Sequence, residues 1–163
     1  MEFRRAKIFS KENKVFLLDY DINDDYYAYI KKHSDEGYEQ VILTTDFMLA
    51  ILKHYFINRK FNLKEILPID DEPFLVEKFQ RYLEMLEDDR EKIIYFLSEL
   101  DFLLYEKNAL DIFKIEMSGK SLSEKRTRFS AQINGIICIN VPSYEEEKEE
   151  LIKVISNHLE WEV

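Results

Sequence analysis

Asp19 and Asp21 follow the apolar run Phe16-Leu17-Leu18, and two carboxylates so close at a strand end are candidates for metal-assisted chemistry. The same residues suit a plainer role, because Asp and Asn start helices and turns through hydrogen bonds alone. His33, His54 and His158 are scattered, with no Cys or acid at ligand spacing, so each reads as a helix-surface or helix-end residue. The serines offer no Gly-x-Ser-x-Gly elbow, and 3 Gly are too few for a phosphate-cradling loop. The acid pair Asp70/Asp71 lacks the alternating ligands, central Gly and terminal Glu of a calcium loop. Cys138, the single cysteine, lies within Ile136-Ile137-Cys138-Ile139 and reads as a buried small hydrophobe without a disulfide partner. These residues predict no catalytic group, no metal and no cofactor.

Charge is the stronger signal. The chain carries 33 Asp+Glu against 23 Lys+Arg, a net charge of −10, which disfavours nucleic-acid backbone and anionic membrane and favours basic protein surfaces. The acids are clumped. Residues 64–91 hold 10 acids against 4 bases, and residues 144–163 hold 7 against 2. The expected partner-binding residues are Asp70, Asp71 and Glu72 at one end of a predicted helix, Phe74 to Leu86, and Glu87, Asp88 and Asp89 at the other. One basic island breaks the pattern, Lys120, Lys125, Arg126 and Arg128 against Glu124 alone; it is either solvated or grips a phosphate or a partner's carboxylate.

The elements that must position these groups follow from periodicity. Ala6–Phe9 and Val15–Leu18 around Lys11-Glu12-Asn13-Lys14 predict a hairpin. Asn23 suits the cap of a short helix ending before Gly37. From Tyr38 to Leu67 the period is ambiguous: Val41-Ile42-Leu43 suggests a short strand, and Phe47 to Phe56 a buried helix capped by Thr45. Asp71-Glu72-Pro73 and Asp88-Asp89 start two helices joined as a hairpin or bent rod. Alternation at Phe113, Ile115 and Met117, and Asn134-Gly135 between β-rich flanks, predict a three-stranded meander with a two-residue type I′ turn. Ser143-Tyr144-Glu145-Glu146 reads as a capping box for a last helix. The expected fold is a single α+β domain over residues 1–163. It has an antiparallel sheet of about five strands, from the N-terminal hairpin and the C-terminal meander, packed against a central helical segment and a C-terminal helix.

Three segments carry a family resemblance. Phe16-Leu17-Leu18-Asp19-Tyr20-Asp21, Val41-Ile42-Leu43-Thr44 and Ile66-Leu67-Pro68-Ile69-Asp70-Asp71 resemble, in order, motifs of the haloacid-dehalogenase-like phosphatases. The resemblance implies a parallel sheet, Asp19 as nucleophile, Asp21 as acid/base and an acidic pair holding magnesium. Only about 20 residues separate successive motifs, little room for the crossovers a parallel sheet needs, and Ile22 and Asn23 replace the usual small residue and Thr. Ile139-Asn140 ahead of a helix bearing His158 is similar to zinc metallopeptidase-like domains, yet Asn157-His158-Leu159-Glu160-Trp161 lacks the adjacent Glu and the second His.

The expected function is that of a small acidic cytoplasmic binding protein. It would act as an inhibitor or immunity protein that masks the basic surface of a protein partner such as a nuclease toxin. Bacterial immunity proteins and phage-encoded inhibitors share this size and charge, an analogy of class without a motif. The alternative is a metal-assisted phosphatase-like enzyme using Asp19 and Asp21. No direct nucleic-acid or membrane contact is expected: no stretch approaches the ~18 apolar residues of a span, and the N-terminus lacks a signal-peptide pattern.

Overall fold

The computed structural model describes residues 2–69 and 73–159. β1 (Phe3–Lys11) and β2 (Lys14–Asp19) pair antiparallel down to Lys11↔Lys14. Glu12 and Asn13 alone make the turn, at φ 51° and 60°, the left-handed pair of a type I′ turn whose twist matches its strands. α1 (Tyr26–Asp35) is capped by Asp25, whose carboxylate accepts from the Ala28 N–H at 3.1 Å. Asn23 is not the cap; its N–H bonds Asp21 in a local turn.

Five more strands complete the sheet: β3 (Glu39–Gln40), β4 (Asn62–Pro68), β5 (Ile112–Lys120), β6 (Arg126–Gln132) and β7 (Ile136–Asn140). The order is β2-β1-β7-β6-β5-β4, with β3 also on β1, and every ladder is antiparallel. The α+β architecture is as expected, with seven strands rather than five. β4 escaped the periodicity for a physical reason. A bulge shifts its register between Leu63 and Glu65, so Leu63 and Ile66, three apart, both turn inward and are buried, which imitates helical spacing. Val41–Leu43 is not a strand, although the Val41 and Leu43 N–H groups bond Ile8 and Ile133 carbonyls.

Register assigns the two faces. The cross-strand rows Ala6–Ile137–Ala131–Ile115–Ile66 and Ile139–Phe129–Met117–Leu63 are buried throughout. Against the helical layer they pack α2 (Thr45–Lys53), α3 (Pro73–Asp88), α4 (Ile93–Asp101) and α5 (Tyr144–Leu159) in one core. α2 and α4 each run on into a π-helical turn, His54–Asn58 and Phe102–Glu106. α3 and α4 form the antiparallel hairpin: the Tyr82 ring meets Phe96 at 5.1 Å, and the Tyr82 hydroxyl donates to Glu99 at 3.0 Å. On the other face, among the described residues, α1 covers the β1–β2 end, where Phe9 packs on Tyr29 and His33. The row Arg5–Cys138–Ser130–Glu116–Glu65 crosses the rest of that face.

One turn, one burial and two cap expectations are corrected. The β6–β7 hairpin stands, but its loop has three residues, Ile133–Gly135, with a Gln132 carbonyl to Gly135 N–H bond and positive φ at Gly135 alone (81°). Tertiary contacts select this form: Gly135 O accepts from Ile8 N–H, Ile133 O from Leu43 N–H, and Lys7 bonds Asn134 O. The Val41 carbonyl lies 2.5 Å from where a Gly135 Cβ would stand. Cys138 lies on the return strand as expected, but half-buried, and burial raises its thiol pKa. At α5 the capping box does not form. Ser143 donates instead to Asn140 Oδ1 at 2.8 Å, and Glu146 accepts from Ser123. Thr44, not Thr45, caps α2.

Gly119 touches the core directly: a Cβ there would meet the Phe61 ring at 2.4 Å, and Phe61 is fully buried between Tyr55 and Phe129. Overpacking of this kind costs about 1–3 kcal/mol. Gly119→Ala is therefore expected to lower the urea midpoint accordingly; a parent-like midpoint would show that Phe61 has room to yield.

Candidate binding surface

The acid clusters do not merge into one face. Asp19 ends β2, where Arg4 grips it bidentately at 2.8 Å, reaches Glu145 of α5 at 3.7 Å and stacks on the Tyr144 ring. The Asp19 carboxylate also draws the Arg4 pKa upward, mainly through that hydrogen bond. Asp21 accepts the Asn23 N–H at 2.9 Å. The pair thus ends a strand and starts a turn in a wholly antiparallel sheet, not the parallel sheet implied by the phosphatase resemblance. The acids of α3 belong to the opposite edge, five strand spacings away, about 24 Å.

Asp70, Asp71 and Glu72 lie outside the described residues. Glu87 and Asp88 are exposed at the C-terminal end of α3. Asp89 is partly engaged as the cap of the following turn, its carboxylate accepting the Glu91 N–H at 3.0 Å. A helix C-terminus carries partial negative charge, so carboxylates there cost about 0.3–1 kcal/mol each. The last turn of α3 holds no base to offset them. Among the described residues Glu84, Glu87 and Asp88 have no ion-pair partner, whereas Glu77 pairs with Arg81 and Glu65 with Lys114.

Beside these acids runs a groove of about 570 Å³ between α3 and β4. One wall is α3, through Val76, Phe79, Leu83 and Glu87; the other is β4 along its whole length. β4 ends the strand order, so no described strand pairs with its outer edge. Arg90 closes one end, donating to the Phe56 and Phe61 carbonyls and to Asn62 Oδ1 at 2.7–2.9 Å. The acids are visible in the sequence but the groove is not, because neither β4 nor its edge shows in the periodicity.

The histidines are tied locally. His158 Nε2 lies 2.8 Å from Asp46, and His54 Nε2 lies 2.7 Å from Glu150. His33 sits among Phe9, Tyr29 and Tyr38. Among the described residues no three His, Cys, Asp or Glu gather where they could hold a metal ion. No described helix is long and apolar enough to cross a membrane. A buried polar cluster, also missed from sequence, joins α5 to the end of α2: Glu147, wholly buried, accepts from Arg59 at 2.8 Å and from the Tyr55 hydroxyl at 3.0 Å. Comparison with protein-family models, with curated proteins and with solved structures finds no match for this chain.

Proposed function

We propose that this chain is a binding protein that masks a basic surface of a protein partner, as an inhibitor or immunity protein would, with the groove between α3 and β4 as its seat. The observation that carries this reading is the set of acids at the negative end of α3 that have no ion-pair partner among the described residues, beside a strand edge that no described strand pairs. Uncompensated carboxylates at a helix C-terminus are held at a cost to stability, and a cationic partner would remove that cost. The outer-edge N–H and C=O groups of β4 would supply main-chain affinity by strand addition, and Leu83 and Val76 of the α3 wall apolar contact. A nuclease toxin's substrate groove, built to hold polyanion, has the required character.

The experiment begins with partners eluted from native lysate by a salt gradient, followed by association kinetics of the purified pair. Replacing Glu84, Glu87 and Asp88 by their amides is expected to slow association by about tenfold or more at low salt and to flatten its salt dependence, since steering of this kind is screened beyond ~8 Å at physiological salt. The matched amide variant of Asp21, Asp24 and Asp25 should associate like the parent. If the α3 variant keeps the parent rate across the salt series, the groove is not the seat.

A further inference from the structure

We propose that a second, separate site on the uncovered sheet face binds the phosphoryl group of a small organic phosphate, through Lys64, Lys120, Arg126 and Arg128. It is an open depression of about 620 Å³ walled by β4, β5 and β6, with no carboxylate among its described lining residues. In a chain of net charge −10, four cations converging on one concavity need a reason.

The arrangement works against the fold's own electrostatics. Lys120 and Arg126 are direct cross-strand partners, and like charges so placed destabilise a sheet. Lys64 sits at the β4 bulge, where it has no cross-strand partner, and a bulge re-aims the side chain that it carries. Neither Lys64 nor Arg126 has an ion-pair partner among the described residues, in contrast to Lys114, Lys120 and Arg128. Lys120 reaches only Glu124, at 3.6 Å, both well exposed. Arg128 gives one nitrogen to Glu116 at 2.8 Å, which anchors the guanidinium and leaves its other N–H groups free.

The neutral groups agree. Asn62 also lines the depression, and its Oδ1 is taken by Arg90, so the free end of its amide is the donating NH₂. Ser118, opposite Arg128 on β5, adds a hydroxyl. Fixed donors, two forked guanidiniums and two ammonium groups match a tetrahedral dianion, which accepts several charge-assisted bonds at once. Rigid strands, rather than a Gly-rich loop or helix N-terminus, would hold these groups. The site and the α3 groove lie on opposite sides of β4 and meet at its start, where Asn62 and Lys64 line both; Lys120, Arg126 and Arg128 line this depression and not the groove.

The test is calorimetric titration of the full chain with inorganic phosphate, pyrophosphate and glycerol phosphate, with amide NMR shifts to locate binding. Pyrophosphate and glycerol phosphate are expected to bind 1:1, with shifts confined to residues 62–65, 118–120 and 126–128. Arg126→Gln and Lys64→Gln should each weaken binding about tenfold, the fold-change of one charge-assisted contact, whereas Lys14→Gln and Lys32→Gln, with the same change in net charge, should leave it unaltered. Glycerol phosphate binding marks an organic phosphate as the ligand; binding of inorganic phosphate alone would overturn that source. Absence of binding, shifts elsewhere, or equal losses in the remote variants would overturn the site. A single-stranded oligonucleotide binding more tightly than pyrophosphate would overturn the small-molecule assignment.

Discussion

Glu147→Ala is expected to destabilise the protein by about 3–5 kcal/mol, the usual loss when one partner of a buried ion pair is removed and the other stays behind uncompensated. Glu147 is wholly buried on the inner face of α5, and the Arg59 side chain is only 10% exposed. Removing the carboxylate strands both the Arg59 guanidinium and the Tyr55 hydroxyl in the core. The Tyr55 phenol is already held well above its ordinary pKa, chiefly by burial and then by the charge and hydrogen bond of Glu147. The pair need not be a net source of stability. Replacing buried ion pairs by apolar groups of similar volume is often neutral or stabilising, so Arg59→Met/Glu147→Leu/Tyr55→Phe should recover most of the loss. Urea unfolding of the single and triple variants checks this; a triple variant as unstable as Glu147→Ala would show that the cluster is itself a main source of stability.

Raising the pH from about 8 toward 10 is expected to stabilise the protein through Lys7. This lysine is wholly buried on β1, bonded to the Asn134 carbonyl and with no ion-pair partner among the described residues. Burial pushes its pKa down to about 8 from the ordinary 10.5. Between those values the unfolded chain keeps a proton that the folded chain has shed, so stability rises with pH, by about 3 kcal/mol when fully expressed. Cys138 and Tyr29, raised by burial, act in the opposite direction from about pH 9 and 10 upward. The informative quantity is therefore the difference between the parent and Lys7→Met. The variant is expected to be more stable at pH 7, because the parent must bury an ammonium there, and the gap should close as pH approaches 10. Urea midpoints at pH 7, 8, 9 and 10 measure it; a constant gap would mean that Lys7 stays charged in the folded state.

Local chemistry alone determined much of this molecule. The first hairpin, the α3–α4 pair, the meander and the last helix are legible because each rests on signals within a few residues: apolar period, Pro73 in a first turn, a strand stopped by Pro142. The acids on which the binding reading rests are legible in the same way. Where two local devices competed, tertiary contact chose between them. Asn134-Gly135 satisfies a two-residue turn, but the loop is stitched to Ile8, Leu43 and Lys7, and those bonds outweigh the local preference. Ser143 suits a cap, but Asn140, itself bonded to the Arg128 N–H and Arg126 carbonyl, claims its hydroxyl.

What only the tertiary structure decided is which groups share a place. The period stays ambiguous through β4 because its bulge spaces the inward Leu63 and Ile66 by three, and with β4 hidden, both the α3 groove and the basic depression are invisible. Lys64 stands 56 residues before Lys120 in sequence and joins it only because β4 pairs with β5. Glu147 looks like one of a run of solvated glutamates, and its burial depends on Arg59 and Tyr55, 88 and 92 residues earlier. Charge and periodicity are local properties of a chain and can be read along it; convergence depends on strand order and register, which are settled by how the whole apolar face is buried.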